Sequence, residues 1–400
     1  MDDYATMNEY KDKIRVAIVY HCVAHYRESI FRLLCQQEAN GIEYTIISGD
    51  HDHTPSLATV DVSKAKISVA EGGLRWRLVK NKWFGSRFLW QSGVVRLAVT
   101  REFDAIIYLG VVYHLSTWAS CFLARLTGKK TFMWSHGFLR EEKGLKGFVR
   151  STFYRLCDEM LLYHNRARDI FIKRGFNPRK LKVIYNSLDV EKQKQVREKN
   201  DKNNIEDMRK SLFKDVSLPI LLWIGRLTRQ KSLDMILVAT EKLDSLNKKV
   251  NILFIGDGPE KENLDTLARG LGLSDRVVFY GACHDEDKLG TLIAMADICV
   301  APGEVGLTCM HSLAYGTPVI THDNFDFQMP EYEAIKPGVT GAFFKYKDID
   351  SLAETIDAWI SDIQYSRNEI RQNCYKVIDV FYNPAYQVSV INQVIQRYFK

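Results

Sequence analysis

Arg226 and Lys231 stand five residues apart, just after the apolar run Pro219–Ile224, with Gly225 between the run and the arginine. A strand ending on glycine sets the next side chain at its carboxyl end, where α/β folds bind ligands. A planar guanidinium and a compact ammonium at that place suit a diphosphate. Arg229, Gln230 and Lys231 equally make a plain solvated loop, so the pair decides nothing alone. Three further segments follow: Ile255-Gly-Asp-Gly258, Ala301-Pro-Gly-Glu-Val-Gly-Leu-Thr308 and Ala314-Tyr-Gly-Thr-Pro-Val-Ile320. Gly258 permits close backbone approach, a common trait of strand-to-helix turns. The loop Gly303, Glu304, Val305, Gly306 enters a helix at Leu307 and Thr308. The free amides and partial positive charge of such a terminus receive phosphate. Glu304 can accept hydrogen bonds from sugar hydroxyls, and Thr308 either meets a phosphate oxygen or caps the helix. His311, one turn on, shares a face with Thr308 and Tyr315.

In the first half, His136 of Trp134-Ser-His-Gly137 follows an apolar strand and can hydrogen-bond a substrate oxygen, although Ser-His-Gly also reads as a turn. No G-x-S-x-G accompanies it, so a serine hydrolase is not expected. His25, Tyr26 and Arg27 occupy the first strand-to-helix loop, a place for an acceptor. His51 and His53 lack metal-ligand spacing, and no metal site is expected. Trp76–Trp90 interleaves Arg75, Arg77, Lys80, Lys82 and Arg87 with Trp76, Trp83, Phe84, Phe88 and Trp90. Contact with an anionic membrane surface and plain packing both fit that pattern; nucleic acid is not expected as a partner. Gly144–Arg155 adds Lys146, Arg150 and Arg155 to Phe148, Phe153 and Tyr154.

The elements that must position these residues alternate strand and helix, the pattern of parallel βαβ units. Strands are expected at Arg15–Tyr20, Glu43–Ser48, Asp104–Leu109, Lys130–Trp134, Glu159–Leu162 and Lys182–Tyr185. A second series is expected at Pro219–Ile224, Val250–Ile255, Arg276–Tyr280, Ile298–Ala301, Pro318–Thr321 and Ala342–Lys345. At 400 residues, two domains are expected: 1–190, a polar linker 191–214, 215–375, and a C-terminal helix 376–400. The net charge of +6 permits an anionic substrate or surface without requiring either. No run nears the roughly 18 to 20 apolar residues of a membrane span. The first fifteen residues lack an apolar signal core, and the eight cysteines show no C-x-x-C pair. A cytoplasmic protein, peripheral on the inner membrane face at most, is expected.

Taken in order, these motifs resemble family 4 (group 1) of the retaining glycosyltransferases, most firmly over Pro219–Lys345. The resemblance implies the α/β GT-B fold: two doubly wound, Rossmann-like domains facing across a cleft, with the C-terminal helix crossing back to the first. It implies that Arg226 and Lys231 hold a donor diphosphate and that His136 contacts the transferred sugar. It also implies that Pro330-Glu331 ahead of Thr340-Gly341 matches a family segment. Gly303 and His311 stand where the family carries two glutamates, so Glu304 would replace the first and His311 would meet the ribose. The expected activity is metal-independent transfer of a hexose from a UDP- or GDP-linked sugar to a glycan or lipid-linked glycan, with retention, in cell-surface polysaccharide synthesis. No cofactor beyond the nucleotide-sugar co-substrate is implied. Two alternatives stay open: a non-catalytic glycan- or partner-binding protein, and an epimerase or phosphorylase on the same scaffold.

Overall fold

Apolar runs too short for helices, and apolar on both sides, become central strands of parallel sheets. The computed structural model describes residues 13–49, 58–362 and 364–399; His51 and His53 lie outside them. The strands are β1 Ile14–Val19, β2 Ile42–Ser48, β3 Trp76–Leu78, β4 Asn81–Phe84, β5 Phe88–Gln91, β6 Ala105–Leu109, β7 Lys130–Ser135, β8 Glu159–Leu162 and β9 Leu181–Val183, then β10 Ile220–Ile224, β11 Asn251–Ile255, β12 Val277–Gly281, β13 Ile298–Ala301, β14 Val319–His322 and β15 Gly341–Phe344. Helices of the first half are α1 Glu28–Cys35, α2 Val94–Val99, α3 Leu115–Leu126, α4 Gly144–Tyr154 and α5 Asn165–Lys173. Those of the second are α6 Val190–Lys199, α7 Lys202–Leu212, α8 Asp234–Ser245, α9 Lys261–Gly270, α10 Glu286–Ala294, α11 Leu307–Ala314, α12 Ile349–Asp362 and α13 Arg367–Val380, followed by α14 Pro384–Phe399.

The chain forms two units, one of residues 1–184 with 384–400 and the other of 185–383. In the first, seven parallel strands run β3-β2-β1-β6-β7-β8-β9, and β4 and β5 form a separate antiparallel hairpin. The order reverses between β1 and β6, so the loops after these strands diverge and leave a crevice. Val388, Ile391, Val394 and Ile395 of α14 share a core with Val16, Ile18, Phe132 and Trp134. Tyr44 donates to Asn392 at 2.8 Å, and the buried Glu159 receives both Arg397 and Tyr398. The last helix therefore belongs to the first unit by packing and by polar contacts.

The second unit is a six-stranded parallel sheet, β12-β11-β10-β13-β14-β15, reversing between β10 and β13. The stretch expected as a linker is instead folded into α6 and α7 of this unit. Arg197 pairs with Asp379 at 2.9 Å, and Arg209 lies 3.6 Å from Asp297. A few partners for long basic side chains suffice to fix helices whose composition reads as solvated. The expected boundary at residue 376 also moves. Helix α13 ends at Val380 and the chain passes to the first unit at Asn383/Pro384, where proline suits the start of α14. None of the eight cysteines is in a disulfide.

Candidate functional site

In the second unit, the loops after β10 and β13 flank the reversal of strand order, and they carry the motif residues. Gly225 has φ 135°, and its amide donates to the Ile255 carbonyl at 2.9 Å. The β11 loop is laid against it: Leu227 N–H donates to the Asp257 carbonyl at 3.0 Å. A Cβ on Gly258 would stand 2.3 Å from the Leu227 carbonyl oxygen, so that glycine is needed for close approach. Arg226 is exposed and makes no ion pair or side-chain hydrogen bond among the described residues. Lys231 is steered by its partners: its Nζ donates to the Glu304 carbonyl at 2.9 Å and to its carboxylate at 3.3 Å, below the Trp223 ring at 5.9 Å.

Gly303 explains the displaced glutamate. Its amide donates to the Lys231 carbonyl at 3.0 Å, and a Cβ there would meet Gln230 O at 2.4 Å and Lys231 Cα at 2.8 Å. No side chain fits at 303, so the carboxylate stands one residue on, at Glu304, in contact with Lys231. Two expectations require correction. The Thr308 hydroxyl neither caps α11 nor stays free for phosphate; it donates to the Ile224 carbonyl at 2.8 Å and pins the helix to β10. Val305 is fully buried and its amide donates to the Gln328 side chain at 3.0 Å, so this residue has no amide left for a ligand. The residue before α11, Gly306, adopts φ 50°, and the amides of Leu307 and Thr308 find no partner among the described residues. These two donors are available to an anion, together with Arg226 and the shared Lys231.

Burial lowers the pKa of His311, a nearby Glu286 opposes the shift, and its Nδ1 has no partner. Tyr315, one turn further, donates to Glu286 at 2.5 Å. Gln328 and Glu286 were not legible in the sequence, because each acts through a contact far along the chain. Asn186, buried, donates to the Glu331 carboxylate at 2.6 Å within this same unit. Among the described residues, no group of three or more His, Cys, Asp or Glu could hold a metal ion.

In the first unit, the carboxyl ends of β1, β7 and β8 bring together Tyr20, Arg27, Trp134, His136 and Tyr163. Ser135 donates to the Gly110 carbonyl at 2.8 Å and accepts from Gly137 N–H at 3.0 Å. Gly137 has φ 65°, so the turn and the placement of His136 are fixed together. His136 lies 4.6 Å from the Tyr163 ring, with Nδ1 unpartnered. Burial, helped by the charge of Arg27, lowers its pKa to about 4, so it is a neutral hydrogen-bonding group near pH 7. His25 is exposed, Tyr26 half-buried and Arg27 buried. Tyr163 and His164 occupy, after β8, the place that His136 holds after β7. That repetition was the available sequence signal for them.

The basic, aromatic stretch separates into two parts. Trp76 is buried and donates to Ser48 at 2.8 Å; Arg75 pairs with Glu38 and Arg77 with Glu102. In the β4–β5 hairpin, Leu89 and Gln91 are buried, while Lys82, Phe84, Phe88 and Trp90 are exposed. Pairing of Lys82 with Trp90 and of Phe84 with Phe88 puts those four on one face. In α4, Phe153 and Tyr154 are buried and Lys146 and Arg150 pair with Glu142, while Leu145, Phe148 and Val149 are exposed. No helix of the described residues is long and apolar enough to cross a membrane.

Comparison with known proteins covers both units. Residues 204–377 match the family model described as glycosyl transferases group 1, and residues 28–192 match that of glycosyltransferase family 4. A glycosyltransferase of Methanocaldococcus jannaschii is 29% identical over 204 residues, 49% of this chain and 50% of that protein. The alpha-monoglucosyldiacylglycerol synthase of Streptococcus pneumoniae is 28% identical over 176 residues, 44% of this chain and 39% of that one. The chain thus spans half or less of these relatives' lengths. Among solved structures, HepE of Anabaena in complex with UDP has a TM-score of 0.69 at 16% identity, covering 96% of this chain and 100% of that one. A glycosyltransferase of Rickettsia africae reaches 0.71 at 15% identity, covering 97% and 99%. At such identities the likeness is one of fold.

Proposed function

The chain belongs to the family 4, group 1 glycosyltransferases, with the GT-B fold, and from that we propose that it moves a hexose from a UDP- or GDP-linked sugar to a glycan or lipid-linked glycan acceptor, with retention, in surface polysaccharide synthesis. The observation that carries the donor half is Arg226, exposed and unpaired at the strand-order reversal, beside the Leu307 and Thr308 amides and the Lys231–Glu304 pair. Charge developing on a leaving diphosphate would be met by Arg226, Lys231 and those amides. Glu304 holds Lys231 and keeps carboxylate oxygen for sugar hydroxyls; His136, neutral, orients the sugar as donor or acceptor. His25, Tyr26 and Arg27 would serve the acceptor. HepE binds UDP and UDP-glucose, which supports a uridine donor, and the pneumococcal relative's name supports a lipid-linked acceptor.

The test is a screen of UDP- and GDP-hexoses with glycan and lipid-linked acceptors, with product analysis by NMR. An α-linked product from an α-linked donor, formed undiminished in chelator, is expected. A β-linked product would overturn retention, and activity lost to chelator would overturn metal independence. Release of nucleoside diphosphate without acceptor dependence would overturn transfer itself. The exposed face of the β4–β5 hairpin, with Lys80, Lys82 and Arg87 around Phe84, Phe88 and Trp90, is the proposed contact with an anionic membrane surface.

A further inference from the structure

Arg27 is 3% exposed, and no other arginine or lysine among the described residues is buried. It has no ion pair. Its Nη2 donates to the Tyr163 hydroxyl, while Nε and Nη1 are buried without a hydrogen-bond partner. The groups acting most on its charge are the hydroxyls of Tyr163, Tyr26 and Tyr20, and none is a carboxylate. Aromatic rings box the guanidinium, with Tyr163 at 4.9 Å, Tyr26 at 5.1 Å and Trp134 at 5.3 Å. Such contacts offset part of the desolvation cost, but a buried charge ordinarily has a counter-ion. Further groups at the same strand ends are also unspent: the Tyr20 hydroxyl, His136 Nδ1 and His164 Nδ1 lack partners. An unmet cation among unmet polar atoms marks a place where a ligand completes the set. Its neighbours Tyr26 and His136 are half-buried, so the set is not sealed on every side by fully buried groups.

We propose that Arg27 is the seat of an oxyanion, carboxylate or phosphate, carried by the acceptor, so that the acceptor is an acidic glycan or a phosphate-linked one. The inference rests on the reading of the first unit as acceptor-binding. No covalent step is involved; the guanidinium's unspent N–H groups donate to the oxyanion. A charge-assisted contact in such surroundings sets the scale of the effect at about tenfold or more in affinity.

Thermal-shift and calorimetric titrations of the whole chain with glucuronate, inorganic diphosphate and neutral glucose test this, on the native protein and on Arg27→Met. UDP-glucose binding is measured in parallel. The readout is the part of each anion's effect that Arg27→Met abolishes, since the Arg226 region is intact in both proteins. Loss of glucuronate binding alone assigns a sugar carboxylate, loss of diphosphate binding alone assigns a phosphate, and glucose is expected to show no difference. Arg27→Met without ligand should unfold no earlier than the native protein, because it removes an unpaired buried charge; a purely structural arginine would give a large drop. Should Arg27→Met not fold, Arg27→Lys should fold and bind the same anion about tenfold more weakly. Equal anion binding by native and variant protein, or none by either, overturns the inference. If donor binding survives that outcome, only the acceptor anion is lost; if donor binding is absent too, the transferase reading fails with it.

Discussion

At the scale of single residues, the informative position is Gly303. The family pattern puts a carboxylate there, and the backbone of Gln230 and Lys231 passes too close for any side chain. Gly303→Glu should therefore not restore a standard site. It should destabilise the protein by about 2 kcal/mol or more, seen as an earlier urea midpoint, because backbone rather than a flexible side chain must move. Glu304→Gln should leave stability within about 0.5 kcal/mol, as the Lys231 pair is partly exposed, yet lower turnover about tenfold if the carboxylate positions the sugar. Unchanged turnover would remove Glu304 from the machinery. The displacement of the glutamate was legible from spacing in the sequence; its cause was not, because it depends on two loops meeting across the sheet. The same holds for Thr308, whose hydroxyl donates to the Ile224 carbonyl, a contact that spacing alone does not show.

At the scale of elements, the strands of the two parallel sheets other than β3 were legible from their apolar runs; β3, with Arg77 and Leu78 exposed, was read within the basic aromatic stretch. The hairpin was not legible, since alternation over four residues on each side of a tight turn is masked by its aromatic content. Its outward face is what a membrane assay interrogates: replacing Phe84, Phe88 and Trp90 by Ser should abolish flotation with anionic vesicles, and undiminished flotation would discard that surface. Buried histidines give a second test. Burial lowers the pKa of His114 and of His164 to about 3. The unfolded chain protonates them near 6.5, so it binds more protons than the folded one below that pH. Stability is thus full above about 6.5 and falls as pH drops toward 3. Each should account for a loss on the order of 1–2 kcal/mol between pH 7 and 5. Urea unfolding of His164→Gln at the two pH values should show a smaller loss than the native protein, and an equal loss would contradict it.

At the scale of the whole molecule, the division into two α/β units follows from length and from the double run of βαβ patterns. The polar stretch that reads as a linker is structural: α6 and α7 are tied by Arg197 and Arg209 to residues far along the chain, and charge-rich composition hides such ties. In each unit the candidate residues lie at strand carboxyl ends at or near the reversal of strand order. The central claim is that the second unit is a nucleotide-sugar site built on Arg226, Lys231 and the start of α11. Calorimetric titration of UDP- and GDP-sugars against the native protein and Arg226→Ala tests it most directly. The account predicts saturable binding of a donor by the native protein, weakened about tenfold or more in Arg226→Ala with the fold intact. Absence of binding to every donor, or equal affinity in the two proteins, would contradict it.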